Sequence, residues 1–298
     1  MSTPSASPEK LARFNVSPAR RRRDRIARGA ILAATVLALI PLLLIVYYLL
    51  AKGLSSWSTS FFTTDPTGNT FFKNSSIGGI KSAIFGTIEM VALASVISVP
   101  IGIGVAVWLV EYGKSSWFAQ LVRFFIDVLT GVPSIVFGLF IYIVLIVGTG
   151  SSFAGYKGAL ALSLLMLPVV TRSAEVILLL IPGALRESAL ALGAPRWRVI
   201  FSIVLPTALP GMVTGVLLAI ARAAGETAPL LFTAAAANST SFNLGGFMNS
   251  LPVQIYSDVT SPTTAVVNRA WGAALTLVVM ILLLNLIARL IARRSRLA

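Results

Sequence analysis

The chain has 298 residues, of which 56% are hydrophobic and 11% charged. An ordinary soluble domain carries roughly 25% charged residues, so a soluble globular class is excluded and a polytopic membrane protein remains. The net charge of +14 comes without a single Cys or His. That leaves no disulfide, no thiolate metal site and no histidine base, so neither a catalytic residue, a metal nor a cofactor is expected on this chain.

Residues 1–28 form a basic tail, Ser/Pro-rich over 1–19, and are expected to be disordered. The run "RRRRDRIAR" at 20–28 would suit a signal peptide. The apolar stretch behind it is too long, however, and "YYLLAKG" at 47–53 is a poor cleavage site, so a retained first helix is expected.

A spanning helix needs about 20 mostly apolar residues. Six candidates follow in order: 29–51, 81–110, 121–147, 158–180, 207–233 and 270–292. The fold class is therefore all-α, a single transmembrane domain over 29–292 with a basic end at 293–298. Pro100 interrupts the second span, Gly131-Val132-Pro133 the third, Pro168 the fourth, and Pro210 and Pro229 the fifth. Proline at membrane depth is tolerated where neighbours or water satisfy the freed carbonyls. A run of interrupted helices suggests a working pathway.

Lys and Arg crowd the tail, the 111–120 turn with Arg123, the 183–206 segment and the C-terminus. The other side holds Lys52, Lys73, Lys81, Lys157 and Arg269. Positive residues stay inside, so both termini are expected in the cytoplasm of a cell (inner) membrane protein, with Asn69 and Asn243 external. The basic excess reads as orientation, and no nucleic-acid partner is expected.

Gly113-Lys114-Ser115 resembles the tail of a P-loop, but Trp108 stands where that motif requires glycine. ATP binding by this chain is not expected.

Several charges fall within the spans. Glu89 and Asp127 have no role that the sequence prefers. Arg172 and Glu175 lie in the fourth span, Arg222 and Glu226 in the fifth. A charge at a helix centre costs about 2.5–3.5 kcal/mol on insertion scales, so such groups avoid lipid. Gly211, Gly215, Ala219, Arg222 and Glu226 share one helical face of small residues plus an ion pair. That face could pack helices closely or leave room for a solute. The pair could be a self-neutralising i,i+4 bridge. Arg222 could equally await an anion, since a guanidinium fork suits phosphate.

Between the fourth and fifth spans runs "LRESALALGAPRWRVIFSIVLP", 185–206. Its composition predicts a short helix over 185–194, ended by Gly193 and Pro195. A second short helix follows, and Pro206 opens the fifth span. Leu185, Ser188, Ala189 and Leu192 share one face, and the small Ser188, Ala189 and Ala191 would admit another surface.

"ESALALGAPRWRVIFSIVLP" resembles the EAA motif of MetI-like permeases of type I ABC importers, with Glu187, Ala189 and Gly193 in its positions and Val204-Leu205-Pro206 closing it. Ser188 replaces the commonest alanine. "TGVPSIVFGLF" at 130–140, "RAAGETAPLLFTA" at 222–234 and "SLPVQIY" at 250–256 resemble the PstA-type permeases of phosphate importers, over about 78–290. The resemblance implies a coupling helix that docks a separate ATPase through Arg186, Glu187, Ser188, Ala189, Gly193 and Ala194. It implies a PstC-like second permease, two PstB-like ATPase subunits that use ATP and Mg, and a PstS-like external binding protein. It links Arg222, Glu226 and Arg172 to the substrate pathway. Rival readings are a permease for sulfate or molybdate, and an ion-driven secondary transporter or channel.

Overall fold

A computed structural model describes residues 18–67 and 77–294. The expected disorder of 1–17, the placement of Asn69 and the basic end 295–298 lie outside the described residues. Apart from one isolated bridge between Pro66 and Gly78, every regular element among the described residues is helical.

Helix α1, Pro18–Ser56, starts earlier than expected and takes in the basic run 20–28. Arg and Ala are strong helix formers, proline is tolerated in a first turn, and Asp24 pairs with Arg28 one turn on at 2.9 Å. Residues 18–28 are therefore helix rather than disordered tail. The chain divides into two units, 1–48 and 49–298. In the first, Ile31, Leu37 and Leu43 stand exposed along α1, as on a lipid-facing span.

The second unit begins with the end of α1 and the short α2, Thr59–Thr63. Helix α3, Lys81–Val107, continues through a π-helical turn to Gly113. Then come α4, Trp117–Gly131, and α5, Ser134–Ile141, which runs on as π-helix to Val147. Helix α6 is Gly155–Leu179 and α7 Gly183–Ala191. Helix α8, Arg196–Val199, passes through a π turn into α9, Leu205–Ala224. Helices α10, Ala228–Leu231, α11, Leu251–Val259, and α12, Thr264–Arg294, complete the unit.

Among the described residues, five stretches are long and apolar enough to cross a membrane: 18–56, 81–113, 155–179, 196–224 and 264–290. The α4–α5 pair, bent by 102°, gives a sixth if counted as one broken span. Its break falls at Val132-Pro133, both extended, because a residue before proline is driven out of the α region. Pro100, Pro168 and Pro210, expected to interrupt their spans, sit inside unbroken helices. The fifth span is also shifted, to 196–224 instead of 207–233. Pro206 opens no new helix: the π turn before it ends with Leu205 N–H bonded to the Ile200 carbonyl, and the chain coils on. What ends this span is Gly225, and α10 resumes after Glu226 and Thr227.

Packing then sets which helices and charges lie side by side. Helices α6 and α9 lie antiparallel: a Cβ on Gly211 would meet Ile177 at 2.9 Å, and one on Gly215 would meet Ser173 at 2.4 Å. At Gly211 and Gly215 the small-residue face therefore packs helices together and leaves no room for a solute. Helix α5, the second piece of the bent span, also meets α10, with a Cβ on Gly138 landing 2.6 Å from Pro229 Cα. Met90, Leu162, Met166, Ala219, Leu230 and Val253 form the central core. A second core at the α7 end gathers Ala106, Leu178, Ala189, Val199 and Met212.

Candidate functional site

The segment between the fourth and fifth spans is a short helix with a defined stop. Gly193 takes φ +82°. Its N–H bonds to the Leu190 carbonyl at 2.9 Å, and Ala194 N–H reaches back to the Ala189 carbonyl at 3.3 Å. This is a Schellman closure, which needs a left-handed residue at Gly193. Space beside that glycine is open: nothing lies within 4 Å of where a Cβ would stand, so the backbone alone demands glycine.

The six residues expected to meet an ATPase divide by direction. Glu187, Ser188 and Gly193 are exposed, beside Leu192 at 89% exposure. Ala189 is buried in the α7-end core, and Ala194 packs against it. Arg186 also turns inward. Its Nε donates to Glu111 Oε1 at 2.9 Å, and its two terminal nitrogens donate to the Ile181 and Leu178 carbonyls at 2.7 and 2.9 Å. Arg186 thus ties α7 to the end of α3 and to the end of α6.

The charges of the fourth span lie in a closed cluster. Arg172 pairs with Asp127 at 2.7 Å and with Glu175 at 2.8 Å. Glu175 is buried and takes a second guanidinium, from Arg123, at 2.6 Å. Asp127, left open by the sequence, therefore pairs across from α4 to α6. Glu89, on α3, makes no hydrogen bond or ion pair among the described residues.

Arg222 is held differently. Its Nε lies 3.6 Å from Glu226 Oε1, an ion pair too long for a hydrogen bond, and its side chain is 45% exposed. No hydrogen bond engages its guanidinium among the described residues. It occupies the last turn of α9, where the helix dipole favours a cation. The Gly211–Ile177 and Gly215–Ser173 contacts set the register, and seven residues farther on is ~10 Å at 1.5 Å per residue. Arg222 is therefore level with Met166, midway along α6. The sequence expectation put Arg222 near the middle of its own span; the span instead ends at Ala224, and the residue sits in its last turn, beside a helix break. Unwound backbone at such depth occurs where it is buried or lines a cavity.

The family model described as "Binding-protein-dependent transport system inner membrane component" matches residues 98–297. The chain belongs to this permease family. The "Phosphate transport system permease protein PstA" of Yersinia pestis is 40% identical over 279 residues, covering 93% of this chain and 92% of that one. "Phosphate transport system permease protein PstA 1" of Mycobacterium tuberculosis, strain H37Rv, is 41% identical, covering 93% and 91%. Among solved structures, a bacterial ABC transporter that imports alginate aligns with TM-score 0.61 at 19% identity, over 92% of this chain and 99% of that one. The MetNI methionine ABC transporter aligns with TM-score 0.57 at 21% identity, over 73% and 94%. These two likenesses speak to the MetI-like fold alone.

The permease is thus a multi-pass inner-membrane component that works with other parts of an ABC transporter. Sequence reasoning overlooked two of its residues. Glu111 drew no reading within the 111–120 turn, yet it receives Arg186 from 75 positions away. Arg123 entered only as one more positive flank, yet it bridges three acceptors. The one signal available was an arginine four positions before an acid inside an apolar stretch.

Proposed function

We propose that this permease carries inorganic phosphate across the membrane and provides half of the pathway. Arg222 carries the reading. It is an arginine level with the middle of α6, beside a helix break, with its donors unengaged and only a loose acid neighbour. A planar guanidinium with free N–H groups is suited to a phosphate oxygen pair. The near-full-length identity to proteins named as phosphate permeases supports phosphate over sulfate or molybdate. Glu226 holds the guanidinium when no anion is present. Arg172, neutralised by two acids, stands nearer the α7 end and plays a secondary part in the pathway.

The chain performs no chemistry and binds no cofactor; a PstB-like ATPase, in two copies, hydrolyses ATP. That ATPase docks on α7 through Glu187, Ser188, Leu192 and Gly193, while Arg186, Ala189 and Ala194 hold the helix in place. A PstC-like permease completes the pathway, and a PstS-like protein delivers phosphate from outside. Both termini and Ser115 and Pro195 face the cytoplasm, and Asn243 faces out. With no native Cys, single cysteines at these positions labelled by an impermeant reagent read the orientation cleanly. Labelling of Pro195→Cys in intact cells would reverse it.

Radiolabelled phosphate uptake in cells that depend on this transporter tests the substrate and the energy source. Uptake should resist excess sulfate and molybdate and vanish without the ATPase subunit. Equal competition by sulfate, or uptake that survives loss of the ATPase, rejects the reading.

A further inference from the structure

The π-helical turn at the end of α3 is gripped from two sides. From α7, Arg186 bonds Glu111 within the turn at 2.9 Å. From α4, Arg123 Nη1 donates to the Lys114 carbonyl at 2.7 Å and Nη2 to the Leu109 carbonyl at 3.1 Å. The third arm of the same guanidinium, Nε, donates to Glu175 Oε1 at 2.6 Å. The second oxygen of Glu175 receives Arg172, and Arg172 continues to Asp127. The links run unbroken from the short helix α7 through the 109–114 turn and Arg123 to the charged cluster on α4 and α6.

We infer that Arg123 is a positioning residue for transport, converting displacement of α7 into displacement of Glu175 and Arg172. This rests on the reading of the chain as an ATP-driven permease. The elements at the two ends of the link are suited to it. Glu111 and Arg186 are mostly buried, so their charge-assisted pair moves as one body. A π turn is a local departure from α geometry that is frequent at functional sites. Lys114, which follows it, holds φ +41°, uncommon for a residue with a side chain. Arg123 bonds the Leu109 carbonyl within this turn and the Lys114 carbonyl just past it through a planar fork, so a shift of the turn must move the guanidinium. Glu175, 3% exposed and held by two arginines, must then follow. A lysine has neither the fork nor the reach to three fixed acceptors.

A competing route exists through apolar packing, because Ala189 of α7 and Ala174 and Leu178 of α6 share a core. Changing Arg123 leaves that core intact, so the two routes separate experimentally. The measurement is made on the whole transporter in proteoliposomes, with ATP hydrolysis and phosphate uptake followed in parallel. In Arg123→Gln, the ATPase should co-purify in normal amount and hydrolysis should persist. Phosphate moved per ATP should fall by about tenfold, within the range of coupling between separated sites. Arg123→Lys should lie between it and the wild type. The double variant Arg123→Gln/Glu175→Gln removes both charges and leaves the Arg172–Asp127 pair. It should remain uncoupled.

An unchanged ratio in Arg123→Gln overturns the inference. So does a normal ratio in the double variant, which would assign the single variant's defect to an exposed imbalance of charge at Glu175. Should Arg123→Gln fail to assemble, the double variant decides. A wild-type complex that hydrolyses ATP without moving phosphate rejects the functional reading itself and is distinct from either result.

Discussion

Arg269 and Arg222 each have one acidic neighbour, and the structure treats them in opposite ways. Arg269 is 7% exposed and grips Asp258 with two hydrogen bonds of 2.8 Å, and its remaining arm bonds the Ile77 carbonyl. Gln254 donates to the same carboxylate at 2.7 Å, and Asn249 donates to Gln254 at 2.6 Å. This network fastens α11 to α12 and to the chain before α3, and each nitrogen of the guanidinium has a fixed partner. Arg222 is exposed, 3.6 Å from its acid and free of hydrogen bonds among the described residues. The same residue type thus has all its nitrogens engaged at one site and its hydrogen-bond donors unengaged at the other.

The largest effect should come from breaking the fastening. Removing one partner of a buried pair costs about 3–5 kcal/mol. Arg269→Leu should therefore deplete folded subunit from the membrane, read as its level and as its thermal midpoint in detergent. Asp258→Leu combined with Arg269→Leu should recover part of the loss, because no orphan charge remains. A normal level of Arg269→Leu would erase the contrast with Arg222.

Arg222→Gln should leave that level unchanged and remove transport. Charged hydrogen bonds contribute about 1.5–3 kcal/mol, so uptake should fall roughly ten- to hundredfold. Arg222→Lys keeps the charge without the fork and should show a partial defect. The decisive case is Arg222→Gln with Glu226→Gln. If Arg222 handles the anion, this variant assembles and still fails; wild-type uptake would return the pair to a structural bridge.

Arg172→Gln should cost less, a few-fold in uptake, because Glu175 keeps Arg123 and only Asp127 loses its partner at a half-exposed site. An Arg172→Gln defect as deep as that of Arg222→Gln would place the anion contact at both. The smallest effect is expected at Gly193. A side chain in the left-handed region costs about 1–2 kcal/mol, and no clash adds to it. Gly193→Ala should recruit somewhat less ATPase in a pull-down, and Gly193→Asn, which tolerates that region better, should recruit more than Gly193→Ala. Equal recruitment by the two would detach the helix stop from docking.

Much of the molecule was legible in order. Apolar runs of sufficient length had to become membrane helices, since backbone polar groups in lipid must be satisfied within the segment. Gly193 and Pro195 had to stop α7, and Val132-Pro133 had to break the third span, because those constraints act within a few residues. The sequence also located Arg172, Arg222 and their acids. It misjudged Pro100, Pro168 and Pro210, since whether a helix survives a proline depends on what neighbouring groups do with the freed carbonyl. It could not tell Arg186 from Glu187 as anchor and contact, because adjacent residues on a helix face directions about 100° apart and only the packed neighbours say which is inward. It had no means to join Arg123 to Glu175, 52 positions away, or Arg186 to Glu111, 75 positions away. An ion pair depends on where two side chains end in space, and composition and periodicity carry no information about that. Sequence alone determined that the long apolar runs become membrane helices and which residues within them are charged; tertiary packing decided which of those charges are spent on one another and which are only loosely held.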